Sequence, residues 1–210
     1  MHPNPAYRQT PKDTILAFVR DRGFGTLAIN GPDGPLASHI PFVVRPNGTS
    51  LELHLVRSNP IARALAAPQP ALLAITGPDG YISPDWYGME DQVPTWNYVA
   101  AHLRGTLTAL PPEEMRGQLD RLSAEFEGRL RPKTPWRTDK MPAEVLDRLM
   151  RMILPCRLDI ATVDGTWKLG QNKPDAARLG AADGLGAAGI GSETAALARL
   201  MRTEAKDTPT

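Results

Sequence analysis

A single cysteine, four each of tryptophan, tyrosine and phenylalanine, and no excess of either charge set the first limits on this 210-residue chain. Cys156 on its own excludes an intramolecular disulfide and any paired-thiol metal site, and it fits a reducing compartment. Its setting, Ile153-Leu154-Pro155-Cys156-Arg157-Leu158, favours an inert buried thiol over a nucleophile. No stretch reaches the roughly 18 apolar residues of a membrane-spanning helix. The start, Met1-His2-Pro3-Asn4-Pro5, has neither the basic nor the apolar region of an export signal, so the sequence predicts a cytoplasmic protein. Lys and Arg number 24 against 23 Asp and Glu, a formal charge of +1, which lacks the basic footprint of a phosphate-backbone binder. There is no Walker loop, no nucleophile elbow and no helix-turn-helix signature. The four histidines, His2, His39, His54 and His102, are too scattered for a zinc site.

What is present is a succession of short amphipathic segments separated by turn residues. Thr10-Pro11 has the form of a cap followed by proline at the first helical position, and Ile15, Leu16, Phe18 and Val19 supply an apolar face before Gly23. A strand at 24–29, the turn Gly31-Pro32-Asp33-Gly34-Pro35 and a strand at 36–44 read as a hairpin. Leucines 51, 53 and 55 alternate with polar residues at the strand period of two, and Asn59-Pro60 opens a short helix. A short strand at 71–76, closed by Gly77-Pro78-Asp79-Gly80, precedes a loop at 81–94 and a long strand at 96–110. Met115, Leu119, Leu122, Phe126 and Leu130 recur at helical spacing, and a further helix is predicted over 142–153. Strands at 157–163 and 166–169 are predicted to be joined by an Asp164-Gly165 turn. The glycine-rich stretch 180–191 leads to a last helix with Ser192 as its candidate cap, and 203–210 read as a frayed end.

Connections this short favour an antiparallel barrel over a doubly wound parallel sheet, whose crossovers need about a dozen residues. The chain reads as one domain over 1–210, with a helical insert at 112–153 and a helical tail at 172–202.

Three polar and aromatic clusters stand at strand ends. Ser38-His39-Ile40-Pro41-Phe42 pairs with a strand that leaves through Arg57-Ser58-Asn59-Pro60. A guanidinium, a hydroxyl and an amide there suit an anion, although Ser58 or Asn59 could equally serve as the helix cap. The loop carrying Tyr81, Trp86, Tyr87, Trp96 and Tyr98 is rigid enough to wall a planar ligand, or to form a satellite core. Trp167-Lys168-Leu169-Gly170-Gln171-Asn172-Lys173 offers two cations and two amides to a heterocycle, or is a solvated strand end.

Taken in order, Tyr81-Ile82-Ser83-Pro84-Asp85-Trp86-Tyr87, Val93-Pro94-Thr95-Trp96-Asn97-Tyr98 and Lys168-Leu169-Gly170-Gln171-Asn172-Lys173 resemble the PaiB family, with Ser38–Phe42 and Arg57–Pro60 in support. Members of that family are known as FMN-binding negative transcriptional regulators, built on the split β-barrel of the pyridoxamine phosphate oxidases. The resemblance implies a mainly β, antiparallel, Greek-key-like split barrel with helical additions, and a homodimer with FMN at the subunit interface. It implies that Arg57, Ser58 and Asn59 hold the phosphate. Ser38, His39 and the backbone of Ile40, Pro41 and Phe42 would run along the ribityl chain and ring. Trp96, Asn97 and Tyr98, with Lys168 and Gln171, would close the ring. No catalytic residue and no metal is assigned. The regulator reading stands beside an alternative, an FMN-dependent oxidoreductase acting on a small molecule or porphyrin. Glu113, Glu114, Asp120, Glu125 and Glu127, against three arginines, make direct DNA binding by the 112–130 helix doubtful. The stretch 180–191 departs from the family pattern.

Overall fold

A computed structural model of the chain describes residues 1–204; the predicted frayed end lies mostly outside them. Seven strands form one sheet in the order β2-β1-β5-β6-β7-β4-β3. They are β1 (Phe24–Gly31), β2 (Gly34–Pro41), β3 (Val43–Val44), β4 (Ser50–Val56), β5 (Gln69–Ile82), β6 (Thr95–Ala109) and β7 (Ile153–Lys168), and the ladders of β1 with β2 and β5, and of β4 with β3 and β7, are antiparallel. The helices are α1 (Lys12–Arg22), α2 (Pro60–Ala64), α3 (Glu114–Gly128), α4 (Ala143–Met150), α5 (Asp175–Ala188) and α6 (Thr194–Thr203). The chain clusters into two compact units. A hairpin unit comprises Leu16–Ile75 and His102–Val163, and a terminal unit comprises Met1–Ile15, Thr76–Ala101 and the segment from Asp164 onward.

In the hairpin unit the strand period decides which side chains enter the core. Leu27 and Ile29, Leu51, Leu53 and Leu55, and Leu73 and Ile75 alternate inward and are almost fully buried. β2 and β4, first and sixth in the sheet order, come within 8 Å, so the sheet curls on itself as a barrel does. The predicted strand at 36–44 is interrupted at Phe42. Its ring is buried and its N–H donates to Gly23 O at 2.9 Å, the next pair of the β1–β2 register, beyond which the chain passes into β3 and pairs with β4. Helix α3 is tied to β4 by a two-point pair, Arg121 Nε and Nη2 to the Glu52 carboxylate at 2.8 and 3.0 Å. Its inward face carries Met115 and Gln118, the latter donating to Cys156 O at 2.9 Å, while Leu130 lies beyond the helix end and is exposed. Burial pushes the Cys156 thiol up to about 12, the state of an inert core cysteine.

The terminal unit departs most from the sequence reading. The predicted 71–76 strand and 77–80 turn are instead the interior of β5, which continues to Ile82. Asp79 and Tyr81 donate to Ser192 O at 3.0 Å and Ile190 O at 2.8 Å, so this stretch is paired rather than turned. Gly80 is glycine because a Cβ there would stand 2.7 Å from Leu185 Cδ1. The predicted Asp164-Gly165 hairpin is likewise absent: β7 runs through it unbroken. The tight turns at Gly34 and Gly48 have φ of +131° and +69°, whereas Gly165 is not left-handed, and a Cβ on it would meet Ile15 Cδ1 at 2.7 Å.

The glycine-rich 180–191 stretch is mostly helix α5. Gly180 and Gly184 let that helix lie directly on Trp86, whose backbone oxygen would be 2.6 Å from a Cβ at 180. The run from Gly184 to Gly189 matches the GxGxxG spacing of a dinucleotide loop, but it closes a helix instead of opening one after a strand, which removes the phosphate-facing geometry. Ser192 is not the cap of α6. Glu193 takes that position at φ 52°, and the Ser192 N–H donates to Asp79 Oδ1 at 3.0 Å.

Candidate functional site

In the hairpin unit the exit of β4 delivers Arg57, Ser58 and Asn59 at the surface. Asn59 is the cap of α2: its Oδ1 accepts from Ile61 N at 2.9 Å, and its Nδ2 donates to Ser38 Oγ at 3.0 Å. Cap and ligand were alternatives in the sequence, and the amide serves as cap while fixing the hydroxyl of Ser38. Arg57 spends only Nε internally, on Arg151 O at 2.9 Å, and both Arg57 and Ser58 are exposed. Two terminal guanidinium nitrogens and a hydroxyl therefore remain open to an anion. Among the described residues Arg57 makes no salt bridge that would compete for them.

Strand alternation separates two residues that sit side by side in sequence. Ser38 lies on the face of β2 that carries buried Ile40, whereas His39 projects from the other face, stacked on Phe24 with ring centroids 6.4 Å apart. β2 is the first strand of the sheet, with Ser38 on one of its faces and His39 on the other. Phe24 is 55% exposed and extends the flat surface beside His39. Sequence reasoning passed over it, although an aromatic residue at the first position of a strand, opposite Pro41, is where such a surface would arise. The side chains of Ile40 and Phe42 are core, so at those positions only backbone atoms are available to a ligand.

The terminal unit places its own residues by the same rule. Trp96, 46% exposed, and Tyr98 project from one face of β6, and Asn97 points the other way, 1% exposed, with Nδ2 toward Met201 Sδ at 3.6 Å. Tyr81 meets Trp96 edge-to-face, centroids 6.4 Å apart. Gln171 is spent on the chain itself: Oε1 accepts from Leu169 N at 2.8 Å, and Nε2 donates to Trp167 O at 2.6 Å and Ala6 O at 3.3 Å. Asn97 and Gln171 thus brace the unit, while Trp96, Tyr98 and Lys168 face outward or into a cavity. Lys168 Nζ donates to Thr95 Oγ1 and to Trp96 O. Burial, with the charge of Lys173 nearby, holds its ammonium below the ordinary lysine range. No group of residues suited to holding a metal ion is found among the described residues, and no described helix is long and apolar enough to cross a membrane.

The fold is that of a split β-barrel protein, and the family match makes it a flavin-binding one. Residues 1–162 match the family model described as "Putative FMN-binding domain", most of the chain, and the protein belongs to this FMN-binding family of PaiB type. FMN is its cofactor. Over 169 residues it is 28% identical to the protease synthase and sporulation protein PAI 2 of Bacillus subtilis, covering 80% of each chain. Over 112 residues it is 42% identical to an uncharacterized protein of Saccharomyces cerevisiae, covering 47% of this chain and 66% of the other. Among solved structures, an FAD and heme binding protein from Mycobacterium smegmatis matches with a TM-score of 0.58 at 23% identity, covering 88% of this chain and 83% of that one. A flavocytochrome from Azotobacter vinelandii matches with a TM-score of 0.57 at 13% identity, covering 80% and 72%. At those identities the likeness establishes the fold.

The residues present fit the cofactor. A phosphate needs charge-assisted donors that the protein has not already used, and Arg57 and Ser58 supply them. A planar ring needs flat exposed surface, and Phe24 with His39 supplies it.

Proposed function

We propose that the chain works in the cytoplasm as a homodimer with FMN at the subunit interface, and that it lowers transcription as a PaiB-type regulator without gripping an operator itself. The carrying observation is the open guanidinium of Arg57 beside Ser58 and the Asn59-fixed Ser38 hydroxyl, in a chain of the FMN-binding family. Arg57 and Ser58 hold the phosphate, Asn59 holds Ser38 toward the ribityl chain, and the β2 edge with His39 supports the ring. Trp96, Tyr98 and Lys168 present a ring, a phenol and an ammonium to the flavin of the second subunit. Bound FMN supplies a ring that accepts and returns two electrons.

The case against direct operator binding rests on spent cations. On α3 and at its C-terminal cap, Arg116 pairs with Asp120 at 3.2 Å, Arg121 with Glu52 at 2.8 Å and Arg129 with Glu125 at 2.6 Å. A helix whose guanidiniums are already neutralised releases few counterions on DNA. The regulatory effect then passes through a protein partner or through metabolism.

A second reading, an FMN-dependent oxidoreductase, is favoured by one observation: the terminal unit has an open cavity of about 220 Å³ beside Lys168 and Lys173. That volume suits a small molecule rather than a porphyrin.

Titration of the protein and of Arg57→Gln with FMN, followed by quenching of flavin fluorescence, tests the cradle. A charge-assisted contact of this kind is worth about tenfold or more in affinity. Equal affinity in the two proteins would remove Arg57 from the site. Anaerobic mixing with NADH or NADPH separates the two readings: rapid bleaching supports an oxidoreductase, and an inert flavin supports the regulator.

A further inference from the structure

The terminal unit contains two ammonium groups that no carboxylate among the described residues neutralises. Lys168 donates to Thr95 Oγ1 and to Trp96 O, Lys173 donates to Gln92 Oε1, and all three acceptors are neutral. Neither lysine has a salt bridge among the described residues. Both border the same cavity of about 220 Å³, along with Tyr7, Tyr87, Thr95, Asn97 and Asn172. Two like charges beside one half-buried space repel each other and are costly to desolvate, and an anion between them would relieve both costs.

The phenols point to the same ligand. Tyr7 and Tyr87 are 6% and 5% exposed and line the cavity, and among the described residues neither hydroxyl makes a hydrogen bond or is fully buried, so each keeps a small open surface. Lys168 Nζ lies over the Tyr7 ring, 6.0 Å from its centroid, and Lys173 Nζ over the Tyr87 ring, 5.2 Å from its centroid, so each ammonium is held against a tyrosine face at the cavity. Burial raises both phenol ionisations, so the hydroxyls stay protonated and can donate at neutral pH. The one carboxylate in the lining, Asp91, is exposed and pairs with neither lysine. His2 stacks edge-on to Tyr7 at 4.7 Å, on the ring's own side chain rather than in the lining.

We infer that Tyr7, Tyr87, Lys168 and Lys173 form a subsite for the oxyanion of a small acidic ligand, a carboxylate or a phosphate group. The subsite lies wholly within the terminal unit and uses neither Arg57 nor Ser58; it shares Lys168 with the flavin contact proposed above, so Lys173, which has no part in that contact, is the residue that tests it. Its donor set is two ammoniums and two hydroxyls, with the Asn172 amide at the rim. The pocket admits a group of that size and excludes a large aromatic body.

The test is a titration of the full chain with inorganic phosphate and, separately, with acetate, followed by backbone amide NMR shifts. Saturable shifts centred on Gly170, Asn172 and Lys173 are expected with at least one of the two anions, and the stronger arm identifies the ligand class. Lys173→Gln should weaken that binding by about tenfold or more while leaving the rest of the spectrum in place, and Arg57→Gln should leave it unchanged. Three results would overturn the inference: no saturable shift with either anion, equal binding by Lys173→Gln, or phosphate shifts at residues 57–59 with none at Gly170, Asn172 and Lys173.

Discussion

At the scale of single residues, a side chain's neighbours decide whether it is free to bind a ligand. Asn97 and Gln171 have the amides a flavin ring would call for, but both are turned inward to hold the terminal unit together. Gln171→Ala removes three internal hydrogen bonds and leaves the Leu169 N–H to find water, so a loss of about 1–3 kcal/mol in urea denaturation is expected. The phenols give a pH signature. Tyr7 and Tyr87 are held above the ordinary phenol value of 10.0, so over the range between that value and their own the folded chain binds more protons than the unfolded one. Stability is accordingly full below pH 10 and falls as pH rises beyond it. Tyr7→Phe should flatten that fall in thermal melts taken across the alkaline range; an unchanged slope would show that Tyr7 is not its source. Cys156 should stay unreactive toward thiol reagents in the native protein and become titratable on unfolding.

At the scale of elements, glycine has two different uses. Gly34 and Gly48 are glycine because the turn demands a left-handed backbone, and Gly34 lies in a turn that the sequence marks. At Gly180 the Trp86 backbone oxygen passes too close for a Cβ, and at Gly80 and Gly165 a Cβ would have to displace side-chain atoms of Leu185 and of Ile15 and Trp167. Gly180→Ala should destabilise the protein by about 1–2 kcal/mol, because contact with the Trp86 backbone oxygen outweighs the helix-propensity gain of roughly 1 kcal/mol. Asn59→Ala should cost about 1 kcal/mol through the lost cap, and it should also release Ser38.

The same distinction explains how much could be read from sequence. The Asn59-Pro60 helix start, the leucine alternation of β4 and the spacing of Met115 and Phe126 are local signals, and the structure follows them. The 77–80 and 164–165 turns failed because their glycines answer to contacts with Leu185 and Ile15, distant in sequence and invisible to a short window. For the candidate site, the motifs pointed to strand ends that the structure places at the surface or beside a cavity. They could not show that alternation would turn Asn97 away from Trp96, or that Phe24, Tyr7 and Tyr87 would join the exposed surfaces and cavities.

At the scale of the whole molecule, the formal charge of +1 and the paired arginines of α3 predict weak, salt-sensitive and sequence-indifferent retention on DNA, measurable by fluorescence anisotropy at two salt concentrations. A ligand held by two chains makes cofactor binding and dimerisation one equilibrium, since each stabilises the state that the other requires. Sedimentation of the FMN-loaded protein across a dilution series, with protein and flavin absorbance recorded together, tests this linkage. The account predicts that flavin moves with the dimer and is released as the dimer separates. Flavin that stays bound to a sedimenting monomer with undiminished affinity would contradict it.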